Sequence, residues 1–367
     1  MQKFHKTYKF KLKPTKAQAR RFESWIGMCR LVYNVALNER IYYYEATGKS
    51  IRKYDQYNQL PELKKEFTFL KDLHSDVIQE VLDRLQKSYD NFFRGSGFPK
   101  WAKKGFYNSF TFKRNVKVFQ NTIKFPKIGE VRYYNSRKIE GVVKTATIKK
   151  ELDGWFVCIT AETTVPPVTI DNSHAIGIDL GVAVFSSHSD GSTIESPKFL
   201  EPNLKKLRVL QRKLARQVKG SNKREVTKRS IQKLHAKITR QREDFLHKHS
   251  TKIADKYSAC YMEDLKLQNM TKLNSTLSRR LLDLGFYKFR TNLEYKFKER
   301  SKMFLVVPPH YTSQDCSACG ERDKKSRVSQ SEYVCTSCGH TENADINAAK
   351  NIKDRGAILS TKRKVLA

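Results

Sequence analysis

HAIGIDLGVAVFSSHSDGS, residues 174–192, sets a carboxylate, Asp179, in the middle of an apolar run. That run is too short for a helix. It reads as a strand, Leu180-Gly181 as a turn, and VAVFSSH as a second strand, which opens an α/β domain. A buried strand tolerates an isolated carboxylate badly, at a cost of several kcal/mol. A divalent cation held among several carboxylates removes that penalty, and hard oxygen ligands suit Mg²⁺ or Mn²⁺.

Two further acids stand where they can complete such a set. Glu263 falls at the end of SACYMEDL (258–265), which reads as a strand, and Asp345 opens the Ala-rich helix of ENADINAAKNI (342–352). Two ions about 3.5–4 Å apart activate water and stabilise the leaving 3′ oxygen of a phosphodiester. Asp179, Glu263 and Asp345 are thus the candidate catalytic and metal-binding trio of a nuclease. Each has a plainer role open to it. Asp179 could accept hydrogen bonds from the turn at Leu180-Gly181. Glu263 could pair with a lysine, leaving Asp264 as the important acid, and Asp345 could be a helix N-cap. No HExxH, Walker-type or GxSxG motif offers a rival site.

Cys316-Ser-Ala-Cys319 and Cys335-Thr-Ser-Cys338 stand fifteen residues apart, each pair followed by glycine (Gly320, Gly339). Paired knuckles of this kind point four thiolates at one structural Zn²⁺ with no open position, a zinc ribbon. The remaining Cys29, Cys158 and Cys260 sit singly in apolar contexts as reduced thiols, in keeping with a cytoplasmic protein.

Across 367 residues, 72 Lys+Arg face 37 Asp+Glu, a formal charge of +35. The basic residues run the whole length, which favours nucleic acid over a membrane surface and gives no sign of a small-molecule substrate. No apolar stretch is long enough to span a bilayer, and the first residues lack a signal-peptide core. FHKTYKFKLK (4–13) alternates as a strand. Thr15 is a plausible N-cap for a helix whose Phe22, Ile26, Cys29, Val32 and Ala36 share a face. Helical patterning continues to about 106, and Tyr42-Tyr43-Tyr44 fit helix packing better than an exposed stacking platform. Short β-type runs follow to 170. Residues 201–250 form a helical hairpin with 16 Lys/Arg against 4 Asp/Glu, a density suited to phosphates. One face joins Leu207, Leu210, Leu214 and Val218. Residues 277–300 read as one helix, 303–308 as a strand, and STKRKVLA (360–367) as a disordered basic tail.

GIDLG, MEDL, the two C-x2-C pairs and ADINAAKNI together are similar to the TnpB family of insertion-sequence proteins, relatives of type V CRISPR effectors. YKFKLKPTKAQ, IGMCRLVYN and FFRG…FPKW…SF extend the resemblance over nearly the whole chain. It implies an RNA-guided DNA endonuclease with a guide RNA and a target DNA carrying a short adjacent motif. It also implies a multidomain α/β fold: a β-barrel wedge domain (1–15 and 107–172) with an inserted helical REC-like module (16–106). An RNase H/RuvC-like nuclease domain (173–315 and 341–355) follows, with an inserted zinc ribbon (316–340) and a basic tail (356–367). The family's catalytic triad falls on Asp179, Glu263 and Asp345, and its zinc ligands on Cys316, Cys319, Cys335 and Cys338. Many relatives carry Arg between two acids before NAA; here the run is Asn343-Ala344-Asp345. A transposase acting without RNA and a nuclease-inactive, RNA-guided repressor are the alternatives.

Overall fold

Alternation of aromatic and basic residues builds the first strand, β1 (Gln2–Lys13), with Phe4, Tyr8, Phe10 and Leu12 buried and most intervening residues exposed. The computed structural model describes residues 1–264 and 275–365, which divide into a unit Lys3–Thr164 and a second comprising Met1–Gln2 and the chain from Val165 onward.

In the first unit, α1 (Lys16–Thr47) starts with a capping box. The Thr15 hydroxyl accepts from the Gln18 backbone N–H at 3.2 Å, and Gln18 Oε1 accepts from the Thr15 N–H at 3.0 Å. Gly48, at φ 67°, ends the helix in the left-handed conformation that glycine adopts without strain. Helices α2 (Lys53–Glu66) and α3 (Ser75–Phe93) follow. Six strands come next: β2 (Ser109–Phe112), β3 (Lys117–Val118), β4 (Thr122–Phe125), β5 (Gly129–Tyr133), β6 (Val142–Glu151) and β7 (Gly154–Val165). With β1 they form a seven-stranded sheet in the order β2-β6-β7-β1-β5-β4-β3. The opening strand thus lies mid-sheet, and the three helices are an insertion between β1 and β2.

Helices and sheet share one core. Trp25 packs on Phe110 with ring centroids 5.4 Å apart, and Phe22 on Trp155 at 5.0 Å. Trp25, rather than Ile26, is fully buried on α1, and its indole N–H donates to Asp72 at 2.7 Å. The helix-packing expectation for the tyrosine run fails: Tyr42 is 71% and Tyr44 58% exposed, Tyr44 standing in the wall of an open cavity rather than in a core.

The second unit has a mixed sheet. Strands β8 (Ala175–Leu180), β9 (Val184–His188) and β10 (Thr193–Glu195) form an antiparallel meander. β11 (Ala259–Glu263) and β12 (Met303–Val307) extend it in parallel, giving the order β10-β9-β8-β11-β12. Crossover α5 (Asn222–Lys256), preceded by α4 (Leu204–Arg216), links meander to extension. In that hairpin Leu207, Leu234 and Ile238 are buried. Val218 lies beyond the end of α4 and is exposed, so it does not join the apolar face.

The single helix expected at 277–300 is two, α6 (Ser275–Leu284) and α7 (Phe286–Glu299), broken at Gly285 with φ 71°. A short hairpin of β13 (Glu332–Val334) and β14 (Thr341–Asn343) precedes the last helix, α8 (Ala344–Val365). The basic tail expected from 356 is therefore a correction, since the helix continues through Val365. Ser360 is fully buried and receives the Tyr261 hydroxyl at 3.0 Å. Two glycines let α8 lie directly on the sheet. A methyl group at Gly177 would stand 2.0 Å from the Ala349 carbonyl oxygen, and one at Gly356 would stand 2.1 Å from the Tyr261 ring. That close approach carries the start of α8 over the ends of β8 and β11. Leu265, the last residue of SACYMEDL, lies outside the described residues.

Candidate active site and cysteine cluster

Asp179 is the fifth residue of β8 and pairs in register with Ser187. Burial, then the charges of Glu263 and Asp345, push its carboxyl up to about 8, against the pull of the Arg327 guanidinium and the Leu180 backbone N–H. Glu263 ends β11 opposite Val307, and its Oε1 accepts from the Thr312 hydroxyl at 2.9 Å. Burial raises its carboxyl also, while the Thr312 hydrogen bond and the Arg355 charge lower it. Asp345 is in the first turn of α8, 3.2 Å from Arg327 Nη2.

The trio therefore shares one neighbourhood. Among the described residues, only the cysteines form a group of three or more with ligand atoms all within 4.8 Å of one another, so at least one pair of the three carboxylates stands further apart than that. Thr312 and Arg327 hold two of them.

Two of the plainer roles find other occupants, while Asp179 does meet the Leu180 backbone N–H of its turn. The N-cap contact of α8 belongs to Asn343, whose side-chain oxygen accepts from the N–H groups of Asp345 at 3.0 Å and Ile346 at 3.2 Å. Asp264, the rival acid, pairs with Arg290 at 2.8 Å. Among the described residues Glu263 is held by a threonine, Thr312.

Because the folded Asp179 carboxyl titrates near 8, above its ordinary 3.8, the contribution of this one group to metal-free stability is full below about pH 4 and is lost as pH rises towards 8. The raised Glu263 acts in the same sense. In EDTA, Asp179→Asn is expected to melt roughly 5 °C or more above the parent at pH 8, with the gap closing near pH 4–5, by calorimetry. A gap that ignores pH would contradict the burial of this charge.

The four cysteines lie in two turns. The Gly320 N–H donates to the Cys316 carbonyl at 2.9 Å and the Gly339 N–H to the Cys335 carbonyl at 3.0 Å, both glycines having positive φ. Cys316 and Cys338 sulfurs are 3.8 Å apart, Cys319 and Cys335 sulfurs 3.7 Å. These separations exceed a disulfide bond. They match the edge of a tetrahedron with metal–sulfur bonds of about 2.3 Å, which is roughly 3.8 Å. Backbone N–H groups of Cys338 and Ser337 lower the Cys335 thiol to about 6.

Sequence reasoning missed the residues that couple this cluster to the acids. Asn347 on α8 accepts from the Ser317 N–H at 2.9 Å and donates to the Asp315 carbonyl at 2.9 Å. Asn351, one turn on, donates to the Thr312 carbonyl at 2.9 Å and the Asp315 carbonyl at 2.7 Å. Their i,i+4 spacing within NAAKN was a signal; Thr312 and Arg327 offered none.

Family models match "Probable transposase" at residues 156–274, "Cas12f1-like, TNB domain" at 286–352 and "Helix-turn-helix domain" at 1–49. Over 1–49 the structure has a strand and one long helix. InsQ of Escherichia coli (strain K12) is 38% identical over 96% of this chain and 93% of its own length. The chain belongs to the TnpB family. A Streptomyces pristinaespiralis relative is 30% identical over 98% of the chain and 91% of its own length, and both carry the name of an RNA-guided DNA endonuclease. A solved Cas12f1 complex with sgRNA and target DNA, 16% identical, aligns with 92% of this chain and 83% of that one at TM-score 0.61. At that identity the likeness shows the fold alone, one shared with a compact CRISPR effector.

Proposed function

We propose that this TnpB-family chain is an RNA-guided DNA endonuclease of a transposable element, hydrolysing phosphodiester bonds in the manner of RuvC-like nucleases. The observation that carries the reading is the placement of the half-buried Asp179 carboxyl at the end of β8, where desolvation and then the neighbouring charges of Glu263 and Asp345 raise it. A protein accepts such electrostatic cost where a cation is to be bound. The names borne by full-length relatives supply the nucleic-acid context. The sheet order, a three-stranded meander extended by two parallel strands, supports the reading of this unit as RNase H-like.

In this mechanism Asp179, Glu263 and Asp345 would hold Mg²⁺ or Mn²⁺, and the chemistry such an ion would supply there is activation of water and stabilisation of the leaving oxygen. Thr312 orients Glu263, and Arg327 places a cation beside Asp345 and Asp179. Cys316, Cys319, Cys335 and Cys338 hold a structural Zn²⁺ in a ribbon at 316–340. Residues 1–15 and 107–172 act as the wedge domain and 16–106 as the REC-like module, with the nuclease domain at 173–315 and 341–355. The lysines and arginines of α4 and α5 lie along nucleic-acid phosphates. Among the described residues no helix is long and apolar enough to cross a membrane, and the proposed site of action is the bacterial or archaeal cytoplasm.

The test is purification of the full-length protein from cells, sequencing of the copurifying RNA, and assay of matched DNA with Mg²⁺ or EDTA. Cutting is expected only with Mg²⁺ and a target matching that RNA. Cutting of transposon ends without RNA would favour the transposase alternative, and binding without cutting the repressor.

A further inference from the structure

The first unit contains a cavity of about 1010 Å³ between α1, α2 and the end of α3, remote in sequence from the acids and cysteines. Its walls include Tyr44, Tyr54, Tyr89, Phe92, Phe93 and Phe98. Phe92 packs against Phe93 and Phe98 with ring centroids 5.3 Å apart in each case. Such a cluster ordinarily closes on itself. Here Tyr44 is 58%, Tyr54 68% and Phe93 75% exposed, so ring faces stay open.

Arg40 also lines the cavity and is 6% exposed. Its Nε donates to Gln56 at 2.8 Å and one Nη to Gln86 at 3.0 Å, and its guanidinium lies 5.1 Å from the Tyr89 ring centroid. The remaining Nη2 is closed off from solvent and has no hydrogen-bond partner. No carboxylate among the described residues pairs with this guanidinium. A buried cation with an idle donor at the wall of an aromatic cavity lacks an acceptor.

Glu45 and Asp90 line the same cavity, as do Arg52 and Lys53. A bare phosphate would meet both signs of charge. A planar heterocycle with a carbonyl oxygen and ring N–H groups would use donor, acceptors and ring faces together. The chain's charge of +35 fixes the polymer that delivers such a ring.

We propose that this cavity receives one unpaired, carbonyl-bearing nucleobase, stacked on the open aromatics, its carbonyl reaching Arg40 Nη2 once the side chains that cover that atom turn aside. The proposal rests on the nucleic-acid reading above and adds a base site outside the nuclease domain. Guide RNA and target DNA offer the same chemistry, so the test has an arm for each. In one, the protein is purified with RNA from cells fed 4-thiouridine; in the other, its ribonucleoprotein is given matched DNA carrying 4-thiothymidine. After irradiation, crosslinked peptides are mapped by mass spectrometry.

Crosslinks at Tyr44, Tyr54, Phe93 or Phe98 are expected in one arm, and that arm names the source. Phe93→Ala, an exposed change that spares the core, is expected to lower that yield roughly tenfold, as loss of one stacking partner does. Crosslinks confined to 204–256, or a yield unchanged in Phe93→Ala, would overturn the base site and leave the proposed function standing. Crosslinks nowhere on the chain would overturn both.

Discussion

Asp179→Ala is expected to reduce Mg²⁺-dependent DNA cleavage by on the order of a thousandfold or more, while RNA copurifies in undiminished amount. The size follows from position. Asp179 is the trio's member on a central strand, where among the described residues no lysine or arginine forms an ion pair with it and a neighbouring guanidinium and a backbone N–H oppose its burial. Removing it leaves Glu263 and Asp345 on two segments without the carboxylate that lies between them electrostatically. RNA binding draws on basic surface spread over the chain and has no need of this group. Single-turnover cleavage measured beside RNA yield separates the two effects. Cleavage that survives the substitution would end the metal assignment.

Loss of the cysteine cluster is expected to be nearly as severe by another route. Cys335→Ser should abolish zinc content, read by plasma mass spectrometry, and lower cleavage by on the order of a hundredfold. The reason lies in the hydrogen bonds that Asn347 and Asn351 make from α8 to the loop entering the cysteines and to the Thr312 carbonyl. The segment between the cysteine pairs also presents Arg327 to Asp345. A ribbon without metal releases these tethers, and Asp345, in the first turn of α8, loses its position. Asp179→Ala should keep its zinc. A Cys335→Ser protein that lost zinc and cut normally would show the cluster to be independent of the acids.

How far the sequence revealed this arrangement depended on which force fixed each part. IGIDLG was legible because an apolar β-branched run has few alternatives, and an acid inside it is costly. The cysteine pairs were legible from spacing and the glycines that follow them. Glu263 could not be separated from Asp264 by pattern, since both end the same strand; a threonine and an arginine from other segments separate them. Arg327 and Thr312 come from loops, where no periodicity marks a side chain's destination. Tyr42 and Tyr44 were misjudged because helical spacing tells which residues share a face, not whether anything covers it. The far end of the last helix was missed because its basic residues resemble a tail, whereas Gly356 and Ser360 dock it against Tyr261.

The account rests on a divalent cation being held where the three acids converge. A crystal of the full-length protein soaked in Mn²⁺, with anomalous difference density recorded at the manganese edge, examines this directly. The expected result is one or two peaks coordinated by Asp179, Glu263 and Asp345, absent from Asp179→Ala crystals. Manganese bound only elsewhere, or no peak while Arg327 stays paired with Asp345, would contradict it.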